Sequence, residues 1–176
     1  FHNQGNIFGT YYNIRYESTE DLHEQIKQRL QDFDHSLSMF NPNSVISKIN
    51  RNEDITTDSL FEAMYAEAQR VSHLSNGAFD ITVAPLVNAW GFGKNGALDD
   101  EARRQLGGKE RIDSIKAFVG YEKIHLTDSH LYKDDERITL DASAIAKGYA
   151  CDIVADLLRK NNCENNAQQF FHFVHK

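Results

Sequence analysis

The sequence predicts an α+β fold, a mixed or antiparallel sheet with packed helices, on three observations. Three segments carry apolar residues at helical spacing, short strand-like segments and turns lie between them, and the two kinds do not alternate with the regular rhythm of a doubly wound sheet. Within 176 residues, an apolar share of 40% and an aromatic share of 11% provide for a buried core and disfavour disorder.

The elements follow in chain order. Tyr12, Ile14 and Tyr16 alternate with Tyr11, Asn13 and Arg15, the period of a half-buried strand. Ser18 and Thr19, then Glu20 and Asp21, signal a helix start by capping and by acid at the positive end of the dipole. Leu22, Ile26, Leu30, Phe33 and Leu37 fall on one face of that helix. Asn41-Pro42-Asn43-Ser44 is a loop. Ser59 and Glu62 have capping-box spacing before a second amphipathic helix through Leu74, which Asn76-Gly77 ends with Gly as the left-handed residue. Pro85 suits the first turn of a short helix. Lys123–Leu126, Leu131–Lys133 and Arg137–Leu140 read as short strands, and Tyr149, Ile153, Val154, Leu157 and Leu158 mark a third helix. Residues 1–160 form one domain in this reading. Residues 161–176 are an amide-rich tail, too short for a subdomain, which leaves the third helix without a following strand.

Composition narrows the function. A formal net charge of −7 disfavours a reader of the nucleic-acid backbone, and no apolar run is long enough to cross a membrane as a helix. Cys151 and Cys163 lack the close spacing of a zinc or redox pair. The chain opens at Phe1, so we expect a processed or cloned fragment, with any leader removed before this start.

The most informative stretch runs from Leu140 to Asp152. A strand-like segment ends at Asp141, small residues follow, and a helix begins with Lys147 about one turn after Ser143. Small side chains admit a ligand to the backbone, and the N–H groups of a helix start favour anions. The same residues fit close strand–helix packing beside an exposed lysine, and spacing alone leaves both readings open. It is not a Walker A loop. In the segment from Ser75 to Gly93, Asp80 and Thr82 sit among apolar residues, where a lone acid needs a partner or a ligand; taken alone, Asp80 reads as the cap of a buried turn and Trp90 as core. Phe8 and Phe40 stand next to turns, where an exposed ring stacks on a flat heterocycle, although phenylalanine beside a strand is ordinarily core. His172 and His175 have a suggestive spacing, but no ligand set accompanies them and they read as tail residues.

In this order the segments resemble the ApbE family of FAD:protein FMN transferases. The resemblance lies in Phe8-Gly9-Thr10, Leu37 to Asn41 with Ser44 to Asn50, Gly77 to Gly93, and Asp141 to Asp152, spanning roughly Ile7 to Leu158. The block Asp-Ile-Thr-Val-Ala-Pro-Leu-Val ending in Trp-Gly-Phe-Gly, followed by Ala-Lys-Gly-Tyr-Ala-x-Asp, is a specific combination.

The resemblance implies an enzyme that binds FAD with Mg²⁺ and moves the FMN moiety to a Thr or Ser hydroxyl of a target flavoprotein, releasing AMP. Acceptors in the family are subunits of membrane redox complexes, and its members work in the periplasm as membrane-anchored lipoproteins. By position, Phe8 falls where the family often has Met lining the flavin and Phe40 where it often has a stacking Tyr. Ala78, Phe79, Asp80, Asp141 and Lys147 match FAD-contacting positions, and Ala144 matches a backbone-carbonyl ligand of Mg²⁺. The resemblance assigns no general base. Motifs that follow in the family do not occur after Leu158, so the chain resembles roughly the N-terminal half, and we expect the natural fold to continue beyond it. Two alternatives stand beside the transferase: an FAD pyrophosphatase giving FMN and AMP, and a truncated, non-catalytic FAD-binding remnant.

Overall fold

The computed structural model describes residues 1–91, 109–163 and 165–171. Phe92, Gly93, His172 and His175 lie outside them. Strands β1 (His2–Ile7) and β2 (Thr10–Tyr16) form a hairpin, followed by helices α1 (His23–Leu37), α2 (Val45–Asn50) and α3 (Ser59–Leu74). A 3-10 turn (Ile81–Val83) leads into α4 (Ala84–Ala89), and α5 (Lys109–Lys116) precedes a second hairpin of β3 (Ile124–Thr127) and β4 (His130–Lys133). Helix α6 (Ser143–Lys160) and strand β5 (Asn166–Phe171) complete the described chain. The architecture is α+β, as predicted: a three-stranded antiparallel sheet in the order β1-β2-β5, a separate two-stranded sheet, and helices packed on them.

The central strand explains itself. Tyr12, Ile14 and Tyr16 turn inward and are nearly inaccessible, while Tyr11, Asn13 and Arg15 lie on the other face. The predicted stripe on α1 is equally exact in outcome, since Leu22, Ile26, Leu30, Phe33 and Leu37 are each no more than 1% exposed. Ala150, Ile153, Val154 and Leu158 of α6 join the same core.

Several boundaries move, each for a local reason. α1 starts at His23, later than the Ser18-Thr19 signal, and its first turn is held by the Asp21 carboxylate, which accepts from the His23 N–H. α3 is capped by Asp58, one residue before the expected Ser59: its Oδ1 accepts from the Phe61 N–H, while Glu62 accepts from the Thr57 hydroxyl instead of closing a capping box. At the other end of α3 the first left-handed residue is Asn76, φ 51°, with Gly77 following at φ 78°. The Gly77 N–H donates to the Ser72 carbonyl and the Asn76 N–H to His73, the two bonds of a Schellman ending.

Arg137–Leu140 is not a strand; it has no ladder partner among the described residues, and side chains meet the Ile138 carbonyl and the Leu140 peptide groups instead. The third helix does have a following strand: β5 pairs antiparallel with β2, Tyr12 opposite Phe170 and Ile14 opposite Gln168. An amide-rich stretch is a poor strand former by composition, and the open edge of β2 decides its conformation. Trp90 is 45% exposed rather than core, because it caps the short helix α4 at the surface.

Candidate functional site

Three elements converge on one cavity. The first is the tip of the β1–β2 hairpin. Phe8 and Gly9 both take positive φ, 54° and 67°, the conformation of a two-residue turn that matches strand twist. A left-handed backbone at a bulky residue is costly and rare. The Phe8 ring packs at 5.2 Å on Phe33, which also meets Tyr149 edge-on at 5.5 Å.

The second element is the loop after α1. Ser38 is buried, and its carbonyl accepts from the Ser44 hydroxyl at 2.7 Å. Phe40 projects from this loop with 64% of its surface exposed, so of its two sequence readings the exposed ring is the one realised.

The third is the start of α6. The Asp141 carboxylate accepts from the Ser143 N–H at 2.8 Å, and the Ile145 and Ala146 N–H groups both donate to the Ala142 carbonyl. Among the described residues this leaves the Ala144 N–H as the open donor of the first turn, fewer than the helix start alone promises. Lys147 follows one turn on and is half-buried.

The cavity between them has a volume of about 80 Å³. Phe8, Phe33, Leu37, Met39 and Phe40 give it an apolar and aromatic lining, completed by Ser38, Ser143, Ala146 and Lys147. Phe8, Phe40 and Lys147, predicted from three separate segments, therefore line one pocket. Phe33 was legible only as a member of a helix face, and Leu37 and Ala146 fell within the resembling stretches without being singled out as pocket lining.

The Asp80 segment stands elsewhere. Ala78 is exposed and Phe79 half-buried against the core, and neither lines the cavity with Lys147. The Asp80 carboxylate is occupied: Oδ1 accepts from the Thr82 N–H and hydroxyl, Oδ2 from the Tyr121 N–H, and the Thr82 hydroxyl in turn accepts from the Gly120 N–H at 2.7 Å. The partner an acid needs there is the protein itself. The segment still abuts the site, because the Asp141 N–H donates to the Ile81 carbonyl at 2.7 Å.

A metal fits less well. A hard divalent cation takes six or more oxygens, usually with carboxylates among them. Ala144 offers one carbonyl, and among the described residues no three His, Cys, Asp or Glu side chains gather to hold an ion. The described residues do not by themselves make an Mg²⁺ site, and no step below runs through one. A larger hollow of about 220 Å³ between the 49–55 turn and the β3–β4 hairpin contains none of the predicted residues; its Lys133 is already bound to the Ile49 and Ile138 carbonyls.

Fold and pocket together define a class: an α+β domain whose small aromatic-walled cavity meets a lysine in the first turns of a helix. The family model described as the ApbE family matches residues 8–167, and the chain belongs to that family. It is 31% identical over 175 residues to the FAD:protein FMN transferase of Vibrio cholerae serotype O1, covering 93% of this chain and 50% of that protein. It is likewise 31% identical over 176 residues to the FAD:protein FMN transferase of Haemophilus influenzae, covering 92% and 49%. The solved structure of the flavin transferase ApbE from Vibrio cholerae superposes with a TM-score of 0.84 at 31% identity, covering 96% of this chain and 56% of that one. The chain spans about half the length of the curated relatives it matches.

Proposed function

We propose that this chain carries the FAD-holding part of an FAD:protein FMN transferase. The observation that supports this most is the meeting of Phe8, Phe40 and Lys147 at one cavity beside the start of α6. In this reading the isoalloxazine ring enters between the Phe8 and Phe40 rings, where stacking on an aromatic face contributes about 1 kcal/mol beyond burial. The diphosphate then lies toward Ser143 and Lys147. The Lys147 ammonium and the Ala144 N–H offset its negative charge, and Asp141 keeps the bend in shape.

The reaction is attack of a Thr or Ser hydroxyl oxygen of the acceptor on the FMN-side phosphorus. The new P–O bond forms as the bond to the AMP oxygen breaks; AMP leaves and the hydroxyl proton is released. Positioning and charge neutralisation are what this chain's residues contribute. Mg²⁺, an acceptor subunit of a membrane redox complex and a lipid-anchored periplasmic setting belong to the same proposal and rest on family resemblance. The test is incubation with FAD, Mg²⁺ and an acceptor domain. Covalently flavinylated acceptor and stoichiometric AMP are the expected products. FMN and AMP formed at the same rate without acceptor would make the protein a hydrolase, and FAD binding without turnover would make the chain a binding unit only.

A further inference from the structure

Helix α2 is hydrogen-bonded at one end to the loop that carries Phe40 and at the other to Leu140. At its first turn the Ser44 and Ser47 hydroxyls donate to the Ser38 carbonyl, at 2.7 and 3.4 Å, fixing the loop that carries Phe40. At its last residue Asn50 reaches across 90 positions of sequence to Leu140: its Nδ2 donates to the Leu140 carbonyl at 2.9 Å, and its Oδ1 accepts from the Leu140 N–H at 2.7 Å. The same Nδ2 lies 3.9 Å from the sulfur of Met39, a lining residue of the cavity. Leu140 is fully buried and belongs to no strand, so its peptide groups have no ladder to satisfy them. A side-chain amide carries one donor pair and one acceptor, and here it does for Leu140 what a neighbouring strand would do. The next residue is Asp141, which bonds to Ile81 through its N–H and to Ser143 through its carboxylate.

We propose that Asn50 is a positioning residue of the flavin pocket: it pins the 140–147 bend to the rear of the Phe40 loop and so sets the gap between the Phe40 ring and the Lys147 ammonium. Its hold on the bend stands on geometry alone, while the identity of the ligand rests on the function proposed above. Asp at this position keeps the acceptor but loses the donor, and Ala loses both.

The experiment compares Asn50→Ala, Asn50→Asp and Tyr65→Phe in the full chain, by segment-resolved amide hydrogen exchange and by quenching of FAD fluorescence. Tyr65→Phe removes a comparable hydrogen bond, to the Ile124 carbonyl at 2.9 Å, away from the cavity. Asn50→Ala is expected to speed exchange over residues 139–147 by about tenfold, with α3 unchanged, and to raise the Kd for FAD by about tenfold. Asn50→Asp falls between it and the parent, and carries the comparison if the alanine variant does not fold. Tyr65→Phe lowers the unfolding midpoint without either effect. Unchanged exchange at the bend in the Asn50 variants, or acceleration spread evenly over the molecule, overturns the assignment. So does a Tyr65→Phe variant that weakens FAD as much as Asn50→Ala. A parent chain that leaves FAD fluorescence unquenched, with the bend still loosened by Asn50→Ala, retires the flavin ligand and upholds the hold of Asn50 on the bend.

Discussion

The turns at Asp80 and Asp141 look alike in sequence, each an acid followed by small or β-branched residues and a helical turn, yet they are built differently. Both oxygens of Asp80 are engaged, by two backbone N–H groups and a buried hydroxyl, tying the start of the 3-10 turn to the chain at Tyr121. Asp141 spends one oxygen on the Ser143 N–H, and its Oδ2 makes no hydrogen bond among the described residues. The first acid is a clamp, with three hydrogen bonds accepted from the protein itself. The second braces the turn ahead of a cavity-lining helix and has an oxygen to spare. An acid among apolar residues is therefore not evidence of a site until its partners are counted.

The largest expected effect breaks the clamp. Asp80→Ala should destabilise the fold by about 3 kcal/mol, the cost of leaving several donors unpaired, as measured by the denaturant midpoint. A loss below 1 kcal/mol would mean the clamp is not structural. Next comes the cavity side: Lys147→Ala should raise the Kd for FAD about tenfold while shifting stability by less than about 0.5 kcal/mol. Equal binding by parent and variant would remove the lysine from the site. Asp141→Ala should cost about 1 kcal/mol of stability, the ordinary net value of the one hydrogen bond it makes, and so separate the two acids by calorimetry.

The smallest effect tests a position outside both turns. Burial pushes the Tyr16 hydroxyl up from its ordinary 10.0 to about 12, helped by the carboxylate of Asp21. The folded chain thus keeps a proton that the unfolded chain releases first, and stability should fall as pH rises from about 10 to about 12. Tyr16→Phe should flatten that limb of the stability curve, read from unfolding midpoints across the alkaline range.

Legibility followed the range of the interactions. The stripe from Leu22 to Leu37, the alternation of Tyr12 to Tyr16, the Pro85 helix and the start of α6 near Ser143 all rest on neighbours within a turn or two, and each formed where the periodicity put it. The cap of α3 slipped by one residue because Asp58 and Ser59 are both good caps, and only the approach of Ser36, whose hydroxyl donates to Asp58 at 2.7 Å, distinguishes them. The aromatic rings and the lysine of the cavity were legible singly, as residues next to turns and helix starts. Their convergence was not, since it depends on how α1, α6 and the hairpin tip pack.

By itself, then, the sequence determined an α+β chain of amphipathic helices and short strands, because hydrophobic period and turn chemistry are local properties. Tertiary structure alone decided that β5 completes the sheet, that Asp80 serves the fold while Lys147 faces the cavity, and that Asn50 stands in for a missing strand at Leu140. Those outcomes are set by which buried polar groups find partners far along the chain, and a linear pattern carries no record of such pairings.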